Sequence, residues 1–564
     1  MTKQQTSAAP APRRGAGDRL HAWIARFGLT PKEIRVVPEP LWTGDGAAAR
    51  RLVAGTLRFQ GSLVEAPGAS PWAQAAPTPG WAAALHGFDW LDDAAAAPDA
   101  ETRARLVGWL FEWIRLYGDG GPGWRPGLAG RRLTHWLCHA PMIFDAAGPG
   151  ESRAFLRSIG RQARFLRRRW RRAPAGLERF HAAAGLAHAG LALGRAGMLA
   201  DGVAALGRES QLRVGGDGGL PSRCPEEVME ALAVLSWAAR SLESAGIAPA
   251  PAHLDALERL ATAVRALRFG DGALARFHGG GGGDPERIDR ALAASGVRAG
   301  AQIRETMGFH RIASGRTAVI FDAGEERRAD GDRRASLFCV EAAVGRWPLI
   351  VNCGPGARFG EEWLRAARSP AAHSGLSVDA ASSARQADAD LAPGAPGHVN
   401  AVRQEDETGL WLIAEHDGWL RSHGLIHQRR FFLSADGGDL RGEDRLSASG
   451  PGPRAAFDAA ARRRDPARIS FTIRFHLHPS VGAEFFLAGS ALRLHLPARD
   501  GANDGETWIM RQSGGDLALE ESVYLDERRA APRATKQIVV RARTKDYSGV
   551  AKWTFRRAET ARPC

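Results

Sequence analysis

The stretch MGFHRIASGRTAVIFDAG, Met307 to Gly324, sits where the chain changes its hydrophobic period. Upstream, the sequence is Ala/Leu/Arg-rich and its apolar residues recur at helical spacing. Phe155, Leu156, Ile159, Ala163, Leu166 and Trp170 share one helix face, with Arg161, Arg164, Arg168, Arg169 and Arg171 opposite. Further helices are expected at Thr102–Tyr117, Leu177–Leu193 and Pro225–Ala245, separated by Gly/Pro-rich breaks such as Gly118–Pro126. Helices in such a series pack as hairpins, in a bundle, solenoid or toroid. The run RFHGGGGG, Arg276–Gly283, predicts a flexible connection, because glycine disfavours helix and strand alike. A short helix, Pro285–Ser295, follows.

Downstream the period is two. Ile469, Phe471, Ile473, Phe475 and Leu477 alternate with Ser470, Thr472, Arg474, His476 and His478, and Leu492, Leu494 and Leu496 alternate with Arg493 and His495. One apolar face on several short strands argues antiparallel sheets stacked as a sandwich. Helices first and strands second imply an α+β multidomain chain. The expected division is a disordered N-terminus over 1–17, a helical domain over 18–275, a linker with a short helix over 276–305, a β domain over 306–556 and a tail over 557–564.

At 564 residues the chain is too long for one core. Its formal charge is 76 − 62 = +14, carried almost wholly by Arg. A solvated basic surface and a polyanion partner both fit that balance. No zinc-finger spacing, basic-region heptad or RNP-type motif supports nucleic acid, and an acidic polysaccharide suits the charge equally well. Cys138, Cys224, Cys339, Cys353 and Cys564 form no CxxC pair and read as free thiols. The first residues show no apolar signal region, and no apolar run of about 18 residues predicts a membrane span.

Seven segments together carry a resemblance. They are DGGLPSRCP (Asp217–Pro225), MGFHRIASG (Met307–Gly315), VNCG (Val351–Gly354), RSPAAHSGLSVD (Arg368–Asp379), HDGWLRSHGLIHQRR (His416–Arg430), LRGEDRL (Leu440–Leu446) and FHLHP (Phe475–Pro479). In order and spacing this set resembles the bacterial heparinase II/III-like polysaccharide lyases. The resemblance implies an N-terminal (α/α) toroid, a C-terminal antiparallel β-sandwich, and β-elimination on a uronic-acid glycan. It also implies work in the cell envelope, with a cytoplasmic location as the alternative for want of a visible signal.

Elimination needs donors for the uronate carboxylate, a base for the C5 proton and an acid for the departing O4. The resemblance places the family's catalytic tyrosine at Phe309, whose ring gives no proton. Leu220 and Cys224 stand where the family has polar donors, and Arg334 stands where it has a histidine that is a metal ligand in some members. Arg334 cannot ligate a metal. What remains is His373 and His427 as proton-handling residues, with Arg223, Arg334 and Arg429 to hold the anionic sugar. The histidine matching His373 binds zinc in some members, so a divalent metal there is conceivable, although the residues themselves argue for no cofactor. His476 and His478 are spaced to chelate, but Arg474 on their face argues against a metal. Trp124, in a Gly/Pro loop, is the preferred sugar-stacking indole. Two readings follow: a lyase with impaired catalysis, partly rescued by Phe309→Tyr, or a catalytically degenerate glycan-binding or cell-envelope scaffold.

Overall fold

A computed structural model describes residues 16–300, 303–324, 336–379, 397–464, 468–498 and 505–558. Arg334 and residues 1–15 and 559–564 lie outside the described residues. Ala16 and Gly17, expected within a disordered N-terminus, already belong to the helix Ala16–Ile24.

Up to Pro285–Ala294 the chain is helical apart from one hairpin, Thr56–Phe59 with Ser62–Glu65, which the periodicity did not predict. Proline opens the helices Pro126–Cys138, Pro149–Arg169, Pro225–Ser244 and Pro251–Ala266, where its missing N–H costs nothing. The Ala/Gly content lets helices touch. A Cβ on Gly130 would lie 2.2 Å from the His181 carbonyl oxygen, and one on Gly202 2.6 Å from Ala187, so Pro126–Cys138, Leu177–Ala192 and Ala196–Arg213 pack backbone to backbone. The arginine face of Pro149–Arg169 is partly structural. Arg164 donates to the carbonyls of Ala25 (3.0 Å) and Leu29 (2.9 Å), and Arg169 pairs with Asp18 at 2.8 Å, which ties down the N-terminal helix.

The remainder forms two antiparallel sheets. The nine-stranded sheet runs Asp516–Tyr524, Arg533–Arg543, Ser470–Leu477, Trp347–Val351, Val340–Val344, Thr317–Asp322, Phe309–Ser314 and Glu305–Thr306, with Leu376–Val378 beside Ser470–Leu477. The eight-stranded sheet runs Gly482–Phe486, Ala491–Ala498, Gly505–Ser513, Ser548–Arg557, Asp439–Ser447, Leu425–Ser434, Gly409–Trp419 and Val399–Asp406. Aromatic rings join them face to face: Phe475 of the first sheet meets Trp553 and Phe555 of the second at 4.8 and 5.2 Å. Gly442 makes room for the Trp553 indole, since a Cβ there would lie 2.1 Å from the ring.

The RFHGGGGG connection is a loop, but not a slack one. Arg276 stacks on Tyr524 at 4.0 Å and donates to the Leu525 carbonyl and the Glu527 carboxylate. Gly281 N and Gly283 N donate to Glu226 (2.8 Å) and Glu527 (2.9 Å). A Cβ on Gly281 would lie 2.6 Å from the Glu527 carboxylate, so the glycines are there for close approach. The apolar core of the helices continues through Phe277 into Met307, Phe309 and Ile320.

Burial holds His188, His253 and His476 neutral and lowers each to about 4. The unfolded chain titrates them near 6.5. Between those values it binds more protons than the folded chain does, so their contribution is complete above about pH 6.5 and falls as pH drops toward 4. The urea midpoint should therefore fall steadily over that interval. A midpoint unchanged between pH 7 and 4.5 would show that these rings are not held neutral.

Candidate functional site at the junction of the two halves

The segment Asp217–Pro225 docks onto the turn that opens the first sheet. Asp217 accepts from Gly219 N (3.0 Å) and Met307 N (2.6 Å), and its carbonyl accepts from Thr306 Oγ1 at 2.9 Å. Arg223 is thereby set over the strand ends. Its Nε donates to the Met307 carbonyl at 2.7 Å, its Nη2 pairs with Asp322, and its guanidinium lies 4.9 Å from the Phe309 ring centre.

Asp322 ends the strand Thr317–Asp322 and gathers donors from both halves. Beside Arg223, His278 Nε2 lies 3.1 Å from Oδ2, Ser336 Oγ donates to Oδ2 at 2.9 Å and Gly324 N to Oδ1 at 3.2 Å. Burial alone would raise this carboxyl; the Arg223 charge and the His278 contact outweigh it and hold it well below the usual carboxylate range. Arg223, His278, Met307 and Phe338 around it all have left-handed backbones, with φ of 54°, 48°, 53° and 58°. Four such non-glycine residues at one locus mark a strained, over-determined site.

Phe309 occupies the centre of this locus and is 1% exposed. Its ring packs 4.9 Å from Phe277 and 5.8 Å from His278. Of the groups expected from sequence, Arg223 and Phe309 are in contact, but Arg223 is engaged internally: a guanidinium bonded to Asp322 and the Met307 carbonyl is not an open clamp for a substrate carboxylate.

A second cluster lies between the sheets. Arg429, 0% exposed, donates to Asp444 through Nε (2.7 Å) and Nη2 (2.9 Å). His427 Nε2 lies 2.8 Å from the same carboxylate, and its Nδ1 is 3.1 Å from His416 Nε2. Burial lowers the pKa of His427 more than Asp444 raises it, and nearby Arg429 adds to the lowering. His427 and Arg429 were expected at a substrate-facing surface. They are instead interior groups, because Asp444 on the neighbouring strand draws both inward. Phe338 bridges the clusters: its N donates to the Asp322 carbonyl at 2.7 Å, and its own carbonyl accepts from Arg429 Nη1 at 2.6 Å.

His373 lies one segment further along the sheet. It is buried, and its neighbour Ser374 donates to Asn352 Oδ1 at 2.9 Å while accepting from Val340 N at 3.0 Å. Asn352 N donates to Glu341 at 2.7 Å, and burial pushes that carboxyl up to about 7. Among the described residues, no set of three metal-ligating side chains includes His373. Trp124 is 4% exposed, donates to the Tyr117 carbonyl at 2.6 Å and meets Phe165 edge-on at 5.2 Å. It is a core indole and not a sugar platform. Sequence reasoning missed His278, Asp322 and Glu341. Asp322 stood in the segment that marked the change of period, and His278 stood beside the glycine run, where a flexible reading hid it.

The junction can hold a charge network and place a histidine against a carboxylate, but it offers no acid at Phe309. Asp322→Ala would leave the nearly buried Arg223 guanidinium uncompensated, which costs about 3–5 kcal/mol. Its urea unfolding free energy should fall by that order, whereas Asp322→Ala combined with Arg223→Met should recover part of the loss. Equal stability of Asp322→Ala and the native chain would show that the pair does not hold the halves together.

The comparisons bear on the fold. The profile described as heparinase II/III-like, C-terminal, matches residues 300–554. FtsZ-localized protein C of Caulobacter vibrioides (strain NA1000 / CB15N) is 32% identical over 552 residues, covering 93% of this chain and 89% of that protein. The crystal structure of heparinase III superposes with a TM-score of 0.70 at 12% identity, over 96% of this chain and 90% of that one. Heparan sulfate lyase HepC from Pedobacter heparinus gives 0.56 at 15% identity, over 97% and 88%. These two likenesses speak for the fold: a helical N-terminal half followed by antiparallel sheets. The chain belongs to the heparinase II/III-like family.

Proposed function

We propose that this chain keeps the lyase fold as a binding scaffold in which elimination chemistry has lapsed. The observation that carries the reading is the Phe309 ring, buried among Phe277, His278 and an Arg223 already neutralised by Asp322. Positioned general-acid catalysis is worth roughly 10²–10⁴ in rate, and phenylalanine supplies none of it. In the same reading, residues 18–275 form an (α/α) toroid and 306–556 a sandwich, acidic glycan is bound without cleavage, and the protein works at the cell envelope. The name of the relative, FtsZ-localized protein C, supports a place with the division apparatus. A second reading, a lyase of shifted mechanism acting on a uronate glycan, is favoured by the His278–Asp322 contact beside Phe309.

Ultraviolet absorbance of unsaturated uronate separates the two, measured on heparan sulfate, hyaluronan, alginate and bacterial exopolysaccharide. The native chain should give no product. Phe309→Tyr should give none either, because its hydroxyl would enter a buried site whose arginine is already paired. Affinity electrophoresis on the same glycans and co-sedimentation with FtsZ polymer test the scaffold itself. Native turnover abolished by His278→Ala would overturn it in favour of the second reading.

A further inference from the structure

Asp92, His135 and His139 bring three ligand-type atoms together in the helical half, and nothing in the junction chemistry uses them. Asp92 lies on the helix Trp90–Ala96. His135 is in the last turn of Pro126–Cys138 and His139 directly follows it, so the histidines stand one helical turn apart. All three residues are buried. Asp92 Oδ1 is 2.7 Å from His139 Nε2 and 3.5 Å from His135 Nδ1, and the three ligand atoms all lie within 4.8 Å of one another. Tetrahedral nitrogen and oxygen ligands of zinc stand roughly 3.3 Å apart at ordinary bond lengths. Small side-chain shifts therefore close this set around an ion.

A second observation points to a cation. His135 Nδ1 is buried and has no hydrogen-bond partner. Its other nitrogen, Nε2, lies 3.2 Å from Asp89 Oδ1, which also accepts from Arg131 Nε at 2.6 Å; the tautomer with its proton on Nε2 leaves the lone pair on Nδ1. That lone pair then faces Asp92 Oδ1, itself an acceptor, with no proton between them. A cation at the focus removes the conflict. Asp89 then acts as the outer carboxylate that orients a metal-bound imidazole and raises its basicity. Two imidazoles and one carboxylate suit zinc and neighbouring first-row dications, whereas magnesium and calcium prefer all-oxygen sets. His135 and Asp89 also line a pocket of about 470 Å³, mouth included, together with His181, Glu230, Arg131 and Arg287.

We propose that Asp92, His135 and His139 bind one dication of the zinc class, with Asp89 orienting His135. The site is built by the helical half alone and is independent of what the junction does.

The test uses the tag-free full chain, stripped with chelator, dialysed and titrated with ZnCl2 or CoCl2. One ion per chain is expected, with the strong visible bands of tetrahedral Co2+ and a thermal midpoint that rises with zinc. His135→Gln and His139→Gln should abolish the bands. Asp89→Asn should weaken affinity about 10–100-fold. His181→Gln, in the same pocket but outside the set, should bind as the native chain does. Absence of saturable binding by the native chain would overturn the proposal. Binding unchanged in both histidine variants would also overturn it, by placing the ion elsewhere. Should a variant fail to fold, the native Co2+ spectrum still decides, because weak octahedral bands would exclude the proposed ligand set.

Discussion

The Asp322 carboxylate is the point on which the two halves hang. It is wholly buried, yet it draws a guanidinium from the loop before one helix, an imidazole from the glycine-rich connection and a hydroxyl from the segment that leads into the next strand. A buried carboxylate is tolerable only when its lone pairs are met by donors and its charge by an opposite one. Satisfying Asp322 forces several chain segments to one place in fixed register. That explains why Arg223, His278 and Phe338 hold left-handed backbones there. Strain of this kind persists where the surroundings over-determine it, and the shared carboxylate is what does so here.

The same constraint bears on the chemistry. A lyase must present unpaired positive charge to a uronate and a hydroxyl to its leaving oxygen. Here the charge of Arg223 is spent on Asp322, and Phe309, which only the family resemblance sets at the hydroxyl position, carries an apolar ring that continues the helical core into the first sheet. The two changes reinforce each other. An aromatic without a hydroxyl packs best in a dry site, and in a dry site an arginine must find its counter-ion within the protein. Phe277 and Arg276, either side of the strand ends, complete that dry packing between the halves.

Much of the architecture was legible because it rests on hydrophobic period. The helices at Ala100–Tyr117, Leu177–Ala192 and Pro225–Ser244, and the strand Ser470–Leu477, follow directly from which positions are apolar. The site was legible only in part. Phe309 and Arg223 could be singled out, but their relation runs through Asp322, 13 residues from one and 99 from the other. His427 and Arg429 were singled out by the family resemblance, which places them in a matched segment without saying what they pair with. Asp444 draws both inward, and pairing across strands is invisible to a one-dimensional pattern. Trp124 misled for a related reason: glycine and proline around it signal a loop, but a loop can fold its indole into the core. The glycine run was misread because close approach and flexibility have the same composition; only the carboxylates of Glu226 and Glu527 distinguish them.

The net charge takes on a different meaning in this light. The chain carries a large excess of basic residues, nearly all of them arginine. Several of these arginines work inside the fold. Arg132 is fully buried and donates to Gln162 Oε1 and to the carbonyls of His86 and Gly123. Arg311 spans the carbonyls of Ala266 and Arg268 at the end of a helix, and Arg164 spans two carbonyls near the N-terminus. A planar fork with five donors can satisfy two or three carbonyls from one position, which a single ammonium group on a flexible stem does poorly. Arginine in place of lysine is therefore partly a structural choice, in which guanidinium groups tie helix ends and loops together. A +14 formal charge consequently overstates the basic surface open to a polyanion, and what a glycan would meet is the arginines left over once these internal carbonyls and carboxylates are served.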